Sequence, residues 1–116
     1  MNIRDVCDLL DAKILVGGDR MQAELTTAFA ADTMSDLLAF GRPGGILLTR
    51  MTSPQVIRTS DIMNIKAVVM IRGKIPSAEV LHLAEELHVP ILATGVPQFE
   101  AAGILYAKGL RGNIKE

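Results

Sequence analysis

Aromatic residues are scarce in this chain of 116 residues, with no tryptophan, one tyrosine and three phenylalanines. Stacking platforms for single-stranded nucleic acid are therefore not expected. Positive charge is not in excess either. Twelve lysines and arginines stand against thirteen aspartates and glutamates, a net charge of −1, so neither a nucleic acid nor an anionic membrane surface is favoured as a partner. Cys7 is the single cysteine, which excludes an internal disulfide and suits a reducing cytoplasm. No run approaches the roughly 20 apolar residues of a membrane helix. Arg4, Asp5, Asp8 and Asp11 interrupt any signal-peptide-like stretch at the start.

The familiar catalytic and phosphate-binding patterns are missing too. Gly73-Lys74 is followed by Ile75, and Val68 stands where the first glycine of a phosphate loop belongs. Gly17-Gly18-Asp19-Arg20 does not continue as a dinucleotide fingerprint. His82 and His88 lie six apart on one predicted helix and do not share a face, so a structural zinc site is not expected. His82 is placed on the wet face beside Glu79 and Glu86. Cys7 falls on an apolar stripe and reads as inert core rather than nucleophile.

What is present is a repeated strand and helix pattern. Lys66 to Ile71 is a continuous apolar run, and Pro76 opens a segment with Val80, Leu83, Ala84 and Leu87 on one helical face. Pro90 to Thr94 is a second apolar run, and Pro97 opens a helix that stops at Gly109. Continuous rather than alternating strands mean burial on both faces, the signature of a parallel sheet covered by helices. Upstream, Asn2 caps a first helix with Ile3, Val6, Cys7 and Leu10 inward. Ala12 to Val16 is a strand, Asp19 to Glu24 a polar connection, and Leu25 to Ala31 a second strand. Asp32-Thr33 starts a short helix through Phe40, Gly41 to Gly45 is a turn, and Ile46 to Thr49 a buried strand. Ser53-Pro54, a hydroxyl cap before proline, opens a helix to about Asn64. Gly103 sits inside the last predicted helix at a cost in stability, which close packing against a neighbouring element would explain. The tail Arg111 to Glu116 is expected to fray. The pattern predicts one layered α/β domain over residues 1–116, a mostly parallel sheet of about five strands flanked by helices.

Such a sheet gathers its strand ends and helix starts along one edge, where ligands sit. Four loops are predicted there: Asp32 to Asp36, Thr49 to Ser53, Arg72 to Lys74, and Thr94 to Gln98. Three run into helix N-termini, whose free N–H groups favour an anion. Arg50, Arg72 and Lys74 with neighbouring hydroxyls suit a phosphate or carboxylate. The candidate ligand-binding set is Asp32, Ser35, Asp36, Thr49, Arg50, Thr52, Ser53, Arg72, Gly73, Thr94 and Gln98. The alternative is that the Thr and Ser residues are caps, the glycines turns and the basic residues solvated. Asp32 and Asp36, four apart, could hold a metal or act as an acid/base pair; equally, Asp32 is an N-cap. No catalytic residue, resident metal or cofactor is expected.

The stretches Asp32-Thr-Met-Ser-Asp36, Gly45-Ile-Leu-Leu-Thr49, Ala84-Glu-Glu-Leu-His-Val-Pro-Ile91 and Phe99-Glu-Ala-Ala-Gly-Ile-Leu-Tyr106 resemble the DRTGG domain family over nearly the whole chain. That family occurs as a regulatory segment of some phosphotransacetylases and of inorganic pyrophosphatases carrying CBS domains. It is related to the N-terminal domain of HPr kinase/phosphorylase. The defining letters depart: Arg50-Met-Thr52 stands where Gly-Asp-Arg is usual, and Ile71-Arg-Gly73 where Thr-Gly-Gly is usual. The resemblance implies a non-catalytic regulatory or accessory domain that is dimeric. With 49% hydrophobic residues and six methionines, the chain has either a Met-rich core or an apolar face covered by a second copy. The expectation is a cytoplasmic homodimer that binds a small anionic effector, a nucleotide or phosphorylated metabolite. The alternatives are an interaction module for a partner protein without ligand, and a small metal-assisted phosphohydrolase using Asp32 and Asp36.

Overall fold

The computed structural model describes residues 1–112. Its sheet has five strands among the described residues, in the order β1-β5-β4-β3-β2. They are β1 (Lys13–Val16), β2 (Thr27–Ala30), β3 (Gly45–Thr49), β4 (Ala67–Met70) and β5 (Ile91–Ala93). The helices are α1 (Ile3–Leu9), α2 (Met34–Phe40), α3 (Pro54–Ile62), α4 (Ala78–Leu87) and α5 (Gln98–Ala107). β2, β3, β4 and β5 run parallel. β1 joins β5 antiparallel. The layered, mostly parallel sheet expected from the apolar runs is therefore observed, and Val68 pairs with Ile91 as neighbouring strands.

Each parallel strand reaches the next through one helix, and consecutive crossovers of one hand put those helices on one face. Leu37 of α2, Val56 and Ile57 of α3, and Val80 and Ala84 of α4 accordingly pack on Leu47, Val68, Met70 and Ile91. The alternate side chains Ile46, Leu48, Val69 and Leu92 point the other way, against α1 and α5. Strands buried on both faces draw mainly on apolar residues; β3 and β4 contain no exposed residue, and their one polar side chain is Thr49 at the end of β3.

The local corrections have physical causes. α1 begins as expected: Asn2 Oδ1 accepts from the Asp5 N–H, and Asp5 accepts from the Asn2 N–H, a reciprocal cap. Its next free donors, Ile3 and Arg4, reach the carbonyls of Ala23 and Met21. The Asp19–Glu24 connection is thus docked under α1 rather than merely polar, and it buries Met21. The helix predicted from Pro76 begins at Ala78, because Ser77 takes extended backbone and caps it, its hydroxyl accepting from the Val80 N–H at 3.3 Å. Ser53 stands at the N-cap of α3, but its hydroxyl makes no capping bond. β2 is shorter than predicted, since the Leu25 and Thr26 N–H groups turn to Met1 and Gly44. Of the tail, Asn113–Glu116 lie outside the described residues. Arg111 does not fray: its carbonyl accepts from the Ala28 N–H and the Thr27 hydroxyl.

Ser60 of α3 is fully buried, and its hydroxyl has no hydrogen-bond partner among the described residues. Ser60→Ala removes a desolvated oxygen and improves helix propensity, so it is expected to stabilise by about 1 kcal/mol. Thermal unfolding should show a melting temperature raised by roughly 4 °C for a domain of this size. A fall instead would mean that the hydroxyl has a partner.

Candidate functional site

The loops at the carboxyl ends of β2, β3, β4 and β5 meet at one edge, as parallel connectivity requires. The Asp32 carboxylate follows β2 and accepts from the Arg50 N–H at 2.9 Å, tying the β2 and β3 loops together. The Gln98 side chain reaches across from the start of α5, donating to the Leu48 carbonyl at 3.3 Å and to Asp32 at 3.5 Å. The β4 and β5 loops are joined by backbone bonds, Arg72 N–H to Val96 and Gly73 N–H to Thr94. Arg72 adopts φ 60° and Gly73 φ 74° in that turn, a left-handed pair in which glycine relieves strain at one position only.

Among these loops lies an open recess of about 230 Å³, lined by Asp32, Arg50, Met51 and Lys74. Arg50 and Lys74 are exposed and make no ion pair among the described residues. An anion would therefore find two uncommitted cations, while Asp32 already has a donor. The Ser53 hydroxyl at the start of α3, left free of capping, adds a donor near Arg50 in sequence. Lys74 and Met51 are walls of the recess outside the eleven candidates; charge in the Arg72–Lys74 loop was the only signal for Lys74.

The eleven candidates divide by what their side chains already do. Asp32 and Arg50 line the recess, and Gln98 borders it through Asp32. Thr49 is fully buried and accepts from the Met51 N–H at 3.0 Å. Thr94 is buried, donating to the Leu10 carbonyl at 2.6 Å and accepting from the Val96 N–H, so its hydroxyl holds the β5 loop to α1. Thr33, not Asp32, caps α2 by accepting from the Asp36 N–H, and Ser35 pairs with the Thr33 hydroxyl. Ser35, Asp36, Thr52, Arg72 and Gly73 lie in the same loops but do not line the recess. Among the described residues no three His, Cys, Asp or Glu side chains come together as a metal cluster.

A larger cavity of about 470 Å³ lies at the opposite end of the sheet, bounded by Asp19, Arg20, Asp61, Lys66, His88 and Pro90. Sequence reasoning missed it; the unmatched Gly17-Gly18-Asp19-Arg20 stretch was its only trace. Its charged walls carry both signs, so they cancel much of any field that would select an ion. In the smaller recess two cations stand against one engaged carboxylate, so the charge there is less evenly balanced.

The remaining reactive group is inert. Cys7 is buried, and its thiol contacts the Ala12 carbonyl at 3.1 Å. Desolvation pushes its pKa up, against the opposing pull of Arg4, which keeps it protonated and poorly nucleophilic. His82 sits 3.9 Å from Glu86 on the exposed face of α4. No helix among the described residues is long and apolar enough to cross a membrane.

The fold has a solved counterpart in the CBS and DRTGG domains of the regulatory region of Clostridium perfringens pyrophosphatase, crystallised with its activator diadenosine tetraphosphate. The TM-score is 0.73 at 17% identity, over 90% of this chain and 45% of that one. This chain thus matches less than half the length of that chain. No curated protein matches it in sequence. The model of the DRTGG domain matches residues 5–107, nearly the whole described chain from α1 to the end of α5, and the chain belongs to the DRTGG domain family.

Proposed function

We propose that this chain is a non-catalytic regulatory or accessory domain. It binds a small anionic effector, a nucleotide or phosphorylated metabolite, in the recess between Asp32, Arg50 and Lys74, and it associates with itself. The observation that carries the reading is the pair of uncommitted cations, Arg50 and Lys74, set around about 230 Å³ at the carboxyl edge of the parallel strands. The Ser53 hydroxyl, free of capping, lies three residues from Arg50 in sequence, and the start of α3 has a positive dipole end. The nucleotide activator of the clostridial regulatory region supports the choice of probe. A catalytic role has less support, since Asp32 Oδ1 is engaged by Arg50 and Gln98 and hydrolysis needs a positioned nucleophile, base or metal.

Thermal unfolding with inorganic phosphate, adenine nucleotides and diadenosine tetraphosphate tests the reading, each with and without magnesium or manganese. A ligand that binds only the folded state at a hundred times its Kd stabilises by about 2.7 kcal/mol, so one member of the panel should raise the melting temperature by roughly 10 °C. No phosphate release should accompany it. A flat response to the whole panel would overturn the effector site. Metal-dependent phosphate release lost in Asp36→Asn would favour the hydrolase.

A further inference from the structure

We propose that the cavity of about 470 Å³ at the amino ends of β4 and β5 binds a small zwitterion, a free amino acid or a dipeptide, by its ammonium and its carboxylate together. This is a second site, beyond the proposed effector recess. The two share no lining residue, so they fail separately.

Charge is the starting observation. Asp19 and Arg20 stand on the segment after β1, Asp61 in the last turn of α3, and Lys66 just before β4, and all four line the one cavity. None of the four makes an ion pair among the described residues. Two carboxylates and two cations therefore border one space without neutralising each other by contact. A simple ion is attracted by one pair and opposed by the other. A molecule that carries both signs is attracted by both.

The backbone disfavours a bare anion here. α3 and α4 both end at this cavity, so it receives their negative dipole ends, which favour a cation. The N–H groups of Arg20, Asn64, Lys66 and His88 all donate to backbone carbonyls, unlike the free donors of a helix start. A carboxylate is thus held by the Arg20 and Lys66 side chains, while an ammonium has Asp19, Asp61 and the helix ends.

A second observation is independent of charge. Asn64 and His88 follow α3 and α4 with φ 59° each, the left-handed position that glycine most often takes. Both residues line this cavity. Strained backbone of this kind collects at ligand sites, and an amide and an imidazole offer a zwitterion polar partners that glycine lacks.

The space is also preformed. Gly17 lies so close to Pro90 that a Cβ would stand 2.8 Å from the Pro90 Cβ, which holds the Asp19–Arg20 wall against the entrance to β5. The Lys66 N–H donates to the Gly45 carbonyl at 2.8 Å and fixes the wall opposite. Binding then orders side chains but little backbone. The volume falls within the roughly 300–1,000 Å³ of small-molecule sites.

Isothermal titration and thermal unfolding with the twenty free amino acids, glycylglycine and putrescine test the assignment. At least one zwitterion should give a saturable rise in melting temperature of several degrees, and comparison of glycylglycine with the amino acids separates the two sources. The N-acetyl and amide forms of the best zwitterion should each bind at least tenfold more weakly. Arg20→Gln with Lys66→Gln should abolish the preference for acid over amide. Asp19→Asn with Asp61→Asn should abolish the preference for free amine over N-acetyl. Asn64→Gly and His88→Gly should each weaken binding yet melt no lower than the unmodified chain, because glycine relieves the left-handed backbone. A flat response to every zwitterion, blocked forms that bind as well as the parent, or putrescine binding as tightly as the best zwitterion would overturn the proposal. Glycine variants that bind unchanged would overturn the part given to Asn64 and His88.

Discussion

With Arg50 and Lys74 both replaced by alanine, most of the melting-temperature rise produced by the best phosphate or nucleotide probe is expected to be lost. The two side chains are exposed, so a charge-assisted bond from each to an anion is taken at the low end, about 1.5 kcal/mol. Their joint loss weakens binding by roughly a hundredfold or more, because each 1.4 kcal/mol is a factor of ten. A probe at a hundred times its original Kd then stabilises by only about 0.4 kcal/mol instead of 2.7. The shift falls from roughly 10 °C to about 2 °C. The ligand-free melting temperature should stay put, since neither side chain makes a hydrogen bond or ion pair through its own charge among the described residues. Higher salt should shrink the unmodified protein's shift in the same direction, as it screens exposed charge. An unchanged shift in the double variant would place the ligand elsewhere, with the cavity beside Arg20 and Lys66 as the next place to substitute.

Gly17→Ala is expected to be the most damaging single change outside the apolar core. Gly17 closes β1 at φ 87°, and a Cβ there would lie 2.8 Å from the Pro90 Cβ and 2.9 Å from its Cα. The left-handed backbone alone costs a residue with a Cβ about 1–2 kcal/mol. The clash adds roughly 1–3 kcal/mol, because the obstacle is backbone at the entrance to β5 and cannot swing aside. The sum, about 2–5 kcal/mol, is a large part of the 5–15 kcal/mol that holds a typical domain. Denaturant unfolding should show the midpoint falling with an unchanged slope. Gly18→Ala is the control, since its nearest neighbour is Ile14 Cγ2 at 4.0 Å. Equal losses at both positions would remove the close approach to Pro90 as the cause.

Short-range chemistry decides some of this molecule before any folding is considered. The apolar runs at Ile46–Thr49, Lys66–Ile71 and Pro90–Thr94 are legible as doubly buried strands. Their alternation with amphipathic segments implies parallel pairing, and parallel pairing gathers the loops after β2, β3, β4 and β5 at one edge. The Asn2 cap and the family resemblance were legible for the same reason: both lie in contiguous residues. The recess was legible only as a neighbourhood. Arg50 and Asp32 were in the candidate set, and Lys74 was read only as one of three cations suited to an anion. Arg72, which does not line the recess, was preferred to it, and Met51 was not singled out, because a loop's sequence does not say which way its side chains turn.

Polar side chains mark the boundary most sharply. A threonine after an apolar run reads equally well as ligand donor, cap or brace. Only the packing of α1 beside β5 makes Thr94 a brace to a carbonyl 84 residues away. Asp32 reads as a helix cap until β3 arrives beside β2 and offers it the Arg50 N–H, leaving Thr33 to cap α2. The antiparallel place of β1, the docking of Met21 under α1 and the vacancy around Gly103, where a Cβ would meet nothing within 4 Å and the expected close packing is missing, were likewise settled by contacts between distant segments. Hydrophobic period and backbone preference act within a few residues and so can be read along the chain. The partner of a hydrogen bond, the walls of a recess and the exposure of an apolar helix face depend on what folding brings alongside, and tertiary structure alone decided them.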